Sequence, residues 1–326
     1  MMQRARLARP RWAGDVRSVV NRCERRPAVD PMFMLRPSIE TASRRGVRMS
    51  SQSVVVTGGT QGLGFGYARE FLRRGHKVVL SGRDAGRVAD AVARLAPEAA
   101  AHGSSVAGWV CDAASMEQTQ ALWDHAVSCH GRVDIWLHNA GYARTGQKFL
   151  DNTPTEIETM VRGNVIGSIN AANVAIAGMT AQGGGKLFLT LGGGGATGRV
   201  VPGMTAYSTT KRAVKYLAGA LVKERREKRD ERVLVGTISP GVNVTEGMLR
   251  EMRALPAAQR AKSFAQLNFI GEHVETTTPW IVERVLAASK QGEDITWLTG
   301  GRMLGRVVGK LLGRQRDIVS RYQIED

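Results

Sequence analysis

Cysteine is nearly absent: 326 residues contain three, Cys23, Cys111 and Cys129. Their spacing makes neither a metal-ligand pair nor a disulfide framework, so a reducing compartment fits best and cysteine chemistry is set aside. Long apolar runs are missing too: none approaches the roughly 18–20 residues that a membrane span needs. Aromatic residues are 6% of the chain and do not interleave with basic ones in a patch, so the charge gives no nucleic-acid reading. Acids are scarce at the start. Residues 1–50 hold twelve arginines, no lysine and four acids, a net +8 of the chain's +17. Arg-rich, acid-poor and without the apolar run of a signal peptide, this stretch has the composition of an organelle transit peptide. A basic disordered tail is the alternative, and composition alone does not separate plastid from mitochondrion.

From residue 51 onward, short β-branched runs alternate with longer helical patterns. Strands are expected at Ser53–Thr57, Lys77–Ser81, Ser105–Cys111, Asp134–His138, Gly185–Leu191, Arg232–Ser239 and Asp294–Leu298. Helices are expected near Gly62–Arg74, Ala85–Leu95, Ser115–His130, Thr155–Gln182 and Ala206–Arg229. This alternation predicts an α/β fold: one Rossmann-type, doubly wound parallel sheet with helices on both faces, over residues 51–300. No tandem repeat is present.

The turn after the first strand reads TGGTQGLG, Thr57 to Gly64. Gly58, Gly62 and Gly64 fall at the T-G-x-x-x-G-x-G spacing, between a β-branched run and an amphipathic helix. Glycine lets a pyrophosphate approach the backbone, and the helix start offers unpaired N–H groups. The second strand ends Ser81-Gly82-Arg83-Asp84. An acid there would take the ribose hydroxyls of NAD, whereas Arg83 can fork onto a 2′-phosphate, which favours NADPH/NADP+.

Together with later segments these residues resemble the short-chain dehydrogenase/reductase family over about residues 52–245. The resemblance assigns the cofactor loop to Thr57, Gly58, Thr60, Gln61, Gly62, Leu63 and Gly64. It assigns adenine contacts to Cys111-Asp112, a strand-end motif to Asn139-Ala140-Gly141, and the nicotinamide side to Pro240-Gly241-Val242 with Thr245. Tyr207-Ser-Thr-Thr-Lys211 is similar to the family's Y-x-x-x-K, and Asn164 to its helix asparagine. The activity implied is oxidation or reduction at a carbonyl or alcohol carbon. Tyr207 and Lys211 lie four apart and share a helix face. The ammonium is expected to lower the phenol's pKa, so that Tyr207 donates a proton to the carbonyl oxygen. By resemblance, Lys211 also holds the nicotinamide ribose and Asn164 positions a water in the proton relay. His138 stands where the family has asparagine and is read as filling a polar slot. No metal site is read.

One element of the pattern is missing. The family's serine, thirteen residues before the tyrosine, is Gly194 here, inside the run Gly192–Gly195. Backbone N–H groups of that run could replace the hydroxyl, as could Thr190 or Thr197 out of register. The run is read as a substrate pocket with room for something flat and large, or else as a flexible turn. Within the family, the chlorophyll(ide) b reductases similarly carry a glycine-rich strand end. LNFIGEHVET (Leu267–Thr276), within a substrate segment of about 246–278, and the tail from Ile295 resemble theirs. That narrower resemblance implies NADPH-dependent reduction of the 7-formyl group of chlorophyll(ide) b, a chloroplast location, at the stroma or the thylakoid surface, and a possible light-harvesting-complex partner. Another large carbonyl substrate and a non-catalytic NADPH-binding scaffold stay open. By family resemblance the chain is expected to be a homo-oligomer, its helices pairing near Gly163, Gly167 and Ser168. Residues 301–326 are read as a basic amphipathic extension. Met303, Leu304, Val307, Val308, Leu311 and Leu312 fall on one side, and Arg302, Arg306, Lys310, Arg314 and Arg316 on the other. Its apolar face is expected to pack on the body or to meet an anionic membrane.

Overall fold

Three consecutive valines, Val54, Val55 and Val56, are fully buried because β1 (Ser53–Thr57) is covered on both faces. A strand sandwiched this way reads as a continuous apolar run, and each such valine contributes about 1.5–3 kcal/mol by leaving water. Val54 and Val56 point to one layer and Val55 to the other, as the pleat requires. The computed structural model describes residues 51–253 and 257–322. The Arg-rich leader 1–50, three residues of the expected substrate segment (254–256) and the last four of the C-terminal extension lie outside the described residues.

Seven strands form one parallel sheet: β1 with β2 (Lys77–Gly82), β3 (Val106–Val110), β4 (Ile135–His138), β5 (Gly185–Thr190), β6 (Val233–Ser239) and β9 (Asp294–Thr296). Their order is β3-β2-β1-β4-β5-β6-β9. Val55 pairs with Val79 on one side and Trp136 on the other, so the order reverses at β1 and β4. A crevice opens at the carboxyl ends of strands at such a reversal. β7 (Val242–Val244) and β8 (Gly271–His273) make a separate two-stranded parallel pair.

One face is covered by α1 (Gly62–Arg73), α2 (Ala85–Ala101) and α9 (Val274–Ala287), through Tyr67, Phe71, Leu95, Ile281 and Val285. The other is covered by α3 (Met116–His130), α5 (Gly167–Ala181) and α6 (Thr205–Glu227), through Leu122, Trp123, Ala175, Met179 and Val214. α7 (Glu246–Arg253) and α8 (Ala257–Ile270) follow β7, and α10 (Gly300–Leu311) follows β9.

Several elements differ from the sequence reading, among them β7, α7, α8 and β8, which were not expected. α2 does not stop at Leu95 but runs through Pro97 to Ala101, its apolar phase carried on by Ala99. The expected long helix Thr155–Gln182 is interrupted. α4 (Pro154–Met160) starts at a capping box of Thr153 and Glu156, a π-helical turn follows at Val161–Ile166, and α5 continues. α9 was not expected, since its start, VETTTPW, is polar and contains Pro279. It is held against α1 at Gly66, where a Cβ would lie 2.6 Å from Val274 Cγ1.

Candidate active site

The switch-point crevice is a cleft of about 770 Å³. Its floor is the turn from β1 to α1. Gly58 and Gly62 hold φ of +63° and +54°, left-handed values that disfavour a side chain. A Cβ on Gly64 would sit 2.0 Å from Gly58 O, so the turn closes only with glycine there. Gln61 caps α1 without a side-chain bond, and the first turn has no acid. The N–H groups at this helix start are therefore left for an external anion. Thr60, Gln61, Gly62 and Leu63 line the cleft, while Thr57 and Gly64 are buried beneath it.

Thr57 ties floor to wall. Its Oγ1 accepts from the amides of Asn139 and Ala140, both at 3.1 Å. With both lone pairs used, its hydroxyl proton goes to His138 Nδ1, 3.0 Å away. His138 is buried, and that burial, with the Lys211 charge second, brings its pKa down to about 3. It is a neutral strut, as the polar-slot reading expects, and its Nε2 finds no partner among the described residues. Asn139 Nδ2 donates to Gly58 O at 3.2 Å. Asn139, Ala140 and Gly141 line the cleft.

At the far end Arg83, Arg87, Cys111 and Asp112 line the cleft. Asp84 lines it too and caps α2, its Oδ1 accepting from Arg87 N at 2.8 Å. Arg83 beside it is exposed. Burial raises the Cys111 thiol to about 11, which keeps it unreactive. Thr245 faces the glycine turn, its Cγ2 3.1 Å from where a Gly62 Cβ would be. Pro240, Gly241 and Val242 lie outside the cleft lining, with Pro240 O accepting from Asn243 Nδ2 at 2.8 Å.

Behind Gly141 stand the chemical groups. A Cβ there would be 2.8 Å from Asn164 Oδ1 and 3.4 Å from Lys211 Nζ. Asn164, fully buried in the π-helical turn, spends its side chain on three partners. These are Tyr142 N at 2.8 Å, Tyr142 O at 2.9 Å and Thr210 Oγ1 at 2.9 Å. Thr210 in turn donates to Tyr207 O at 2.7 Å. Lys211 Nζ donates to Thr190 O at 3.0 Å and lies 5.9 Å from the Tyr207 ring centroid.

The expected pKa coupling is corrected here. Burial dominates both groups, pushing the Tyr207 phenol up to about 12 and the Lys211 ammonium down to about 8. Tyr207 is therefore fully protonated at neutral pH, the state a proton donor requires. A charged Lys211 in this low-dielectric setting would favour negative charge on the phenol.

The glycine run is filled from within. Gly192 faces the phenol: a Cβ there would be 2.5 Å from Tyr207 Oη. On Gly193 it would be 2.7 Å from the ring, and on Gly195 2.7 Å from Lys211 Cβ. Gly194, at φ +79°, would put it 2.3 Å from Arg199 O. The absent side chains make room for Tyr207, α6 and the loop's own backbone, not for a flat substrate as the sequence suggested. Counting thirteen residues pointed to Gly194, but the position facing the hydroxyl is Gly192. Arg87, Arg162, Tyr142 and Glu246 also line the cleft. They carry no motif signal, apart from Arg87 lying one helical turn after Arg83. Among the described residues no cluster of His, Cys, Asp or Glu could hold a metal, and no helix is long and apolar enough to cross a membrane.

Cradle, sheet and Tyr–Lys pair together define an oxidoreductase built for a nicotinamide cofactor. Residues 52–254 match the short chain dehydrogenase family model, and the chain belongs to that family. It is 31% identical over 282 residues to a probable chloroplastic chlorophyll(ide) b reductase of Arabidopsis thaliana, covering 82% of this chain and 55% of that protein. A chloroplastic chlorophyll(ide) b reductase of Oryza sativa subsp. japonica is 30% identical over 290 residues, covering 87% of this chain and 81% of that protein. The chain thus spans about half the length of the first relative and most of the second. Among solved structures, the L-sorbose reductase of Gluconobacter frateurii complexed with NADPH and L-sorbose aligns at a TM-score of 0.65 and 21% identity, over 78% of this chain and 97% of that one. That likeness shows the fold.

Proposed function

We propose that the chain is an NADPH-dependent carbonyl reductase, and that its substrate is chlorophyll(ide) b, whose 7-formyl group it reduces to hydroxymethyl. The carrying observation is a buried Lys211, its Nζ packed behind Gly141 in the wall of a cleft that reaches Arg83, with a protonated Tyr207 one helical turn before it, its hydroxyl against Gly192. The substrate rests on the reductases of Arabidopsis and rice.

The residues fit the cofactor. Thr60, Gln61, Gly62 and Leu63 would hold the pyrophosphate, Arg83 with Arg87 the 2′-phosphate, and Asp112 the adenine end. Lys211 would hold the nicotinamide ribose, with Pro240–Val242 and Thr245 beside the ring. When bound, the reduced nicotinamide supplies a hydride. Tyr207 Oη gives its proton to the carbonyl oxygen, so an aldehyde becomes an alcohol. Lys211 stabilises the phenolate left behind. Asn164 positions Tyr207 through Thr210, and its backbone carbonyl serves the relay water. The amides of Gly192 and Gly193 stand in for the missing serine hydroxyl.

A chloroplast location follows from the Arg-rich, acid-poor residues 1–50 and the chloroplastic relatives. Exposed Ile166, Ile169 and Tyr216 on the turn before α5, α5 and α6 support a homo-oligomer. Purified protein, NADPH and chlorophyllide b should give the 7-hydroxymethyl product, and Tyr207→Phe should lose about 10²–10⁴ in rate. Absence of turnover by folded, NADPH-binding protein would reject the substrate. The space taken by Tyr207 and Arg199 at the glycine run favours one second reading, a smaller carbonyl, which a substrate panel followed by NADPH consumption separates.

A further inference from the structure

The C-terminal helix is mounted inside out. On α10 Arg302 and Arg306, and just beyond it Arg316, turn inward. The Arg302 guanidinium lies 3.8 Å from the Trp297 ring centroid and 4.5 Å from that of Trp280. Arg306 Nη1 donates to Ile270 O at 2.8 Å, and its other nitrogen pairs with Glu272. Arg316 reaches Phe269 O and Gly271 O, both at 3.0 Å, and Glu272 at 2.7 Å. The Arg306 and Glu272 side chains are only 8% and 12% exposed. Cations bind the body, so the opposite face turns out. Leu304 is 65% exposed, Leu311 80% and Leu312 70%, with Val307 and Val308 exposed between them. Gly301 and Gly305 extend the open face, since a Cβ on either would meet nothing within 4 Å.

We propose that this face seats α10 in the surface of an anionic bilayer. No acidic residue occurs from Ile295 to Arg316, and the exposed cations Lys310 and Arg314 sit at the carboxyl end of the apolar stripe. An apolar face on a helix that carries only positive charge complements a layer of anionic headgroups. Twelve residues make a helix about 18 Å long, too short to cross and suited to lying in the interface plane. A second copy of the chain fits less well. It would bring Lys310 and Arg314 near their equivalents. Five side chains on three turns also fall well below the roughly 800 Å² per partner of a stable interface. The grip on Phe269–Glu272 ties α10 to the expected substrate segment, so docking would bring that segment to the bilayer. The docking itself does not depend on which carbonyl is reduced.

The test is flotation of the full chain with phosphatidylcholine vesicles, with and without phosphatidylglycerol, free of pigment and NADPH. Wild type should float with the anionic vesicles. Leu304→Asp/Leu311→Asp should lower partition about tenfold or more, and Lys310→Gln/Arg314→Gln about fivefold per charge. Both variants retain the Arg-rich leader, so any difference reports α10. Unchanged NADPH binding and thermal melting would show both variants folded. A wild type that stays in solution, or variants that float equally, would overturn the proposal. So would a drop in mass by light scattering in the Leu304→Asp/Leu311→Asp variant, which would make the face a contact between copies.

Discussion

Gly192→Ala is the sharpest probe of the site. The added Cβ would meet Tyr207 Oη at 2.5 Å, Cζ at 3.4 Å and Cε1 at 3.6 Å. Ordinary contact begins near 3.4 Å, so the hydroxyl has to retreat by about 0.9 Å while the ring scarcely collides. A displacement of about 1 Å at a reacting atom costs on the order of 10² in rate. The same overpacking should cost about 1–3 kcal/mol of stability. NADPH consumption with chlorophyllide b gives the rate, and urea unfolding gives the stability without any substrate. Combining the change with Tyr207→Phe removes the colliding oxygen. The double variant should then be no less stable than Tyr207→Phe alone, a coupling of about 1–3 kcal/mol. Gly219→Ala is the control: exposed on α6 with nothing within 4 Å, it should gain about 0.5–1 kcal/mol from helix propensity. A Gly192→Ala protein with wild-type turnover and additive stabilities would refute this placement of the phenol.

Three further outcomes are expected. Lys211 titrates near 8 when folded and near 10.5 when unfolded, so folding expels a proton between those values and stability should rise with pH across that window. The rise, up to about 3 kcal/mol by linkage, should vanish in Lys211→Met, and urea unfolding between pH 7.5 and 9.5 measures it. Because Lys211 loses its charge near 8, kcat/KM for reduction should fall as pH rises through that value; a flat profile to pH 10 would exclude its role. Arg83→Ala should weaken NADPH binding about 10–100-fold and leave NADH binding nearly unchanged, as fluorescence titration would show, since one charge-assisted fork is lost.

Legibility in the sequence followed how local each signal was. All seven sheet strands were readable as short apolar runs between helical patterns, most plainly where burial on both faces leaves an uninterrupted β-branched run, as in Val54–Val56. The glycine turn was readable because its backbone values admit few other residues. Tyr207 and Lys211 were readable because a helix fixes the geometry of residues four apart. What was misread depended on distance or orientation. The phenol's acidity turned on burial by residues far along the chain, which spacing does not encode. Gly194 was singled out by counting, yet the turn closed by Gly195 N on Gly192 O, at 2.9 Å, brings Gly192 to the hydroxyl. The inversion of α10 was hidden because periodicity reports two faces but not which one turns inward. Glu272, 34 and 44 residues upstream, decides that by pairing with Arg306 and Arg316. Residues 240–287 were read by resemblance alone, and their helices went unnoticed for want of a clean apolar repeat.

The π-helical turn at Val161–Ile166 carries a consequence of its own. A wider coil holds more backbone per revolution, so the stretch ahead of it is rotated relative to the stretch behind. Asn164 meets Tyr142 and Thr210 only in that offset frame. Shortening the turn by one residue, with every contacting side chain retained, would swing the amide about 100° around the axis while α5 kept its seat on the sheet. Loops elsewhere absorb insertions and deletions cheaply; here chain length itself behaves as a functional residue.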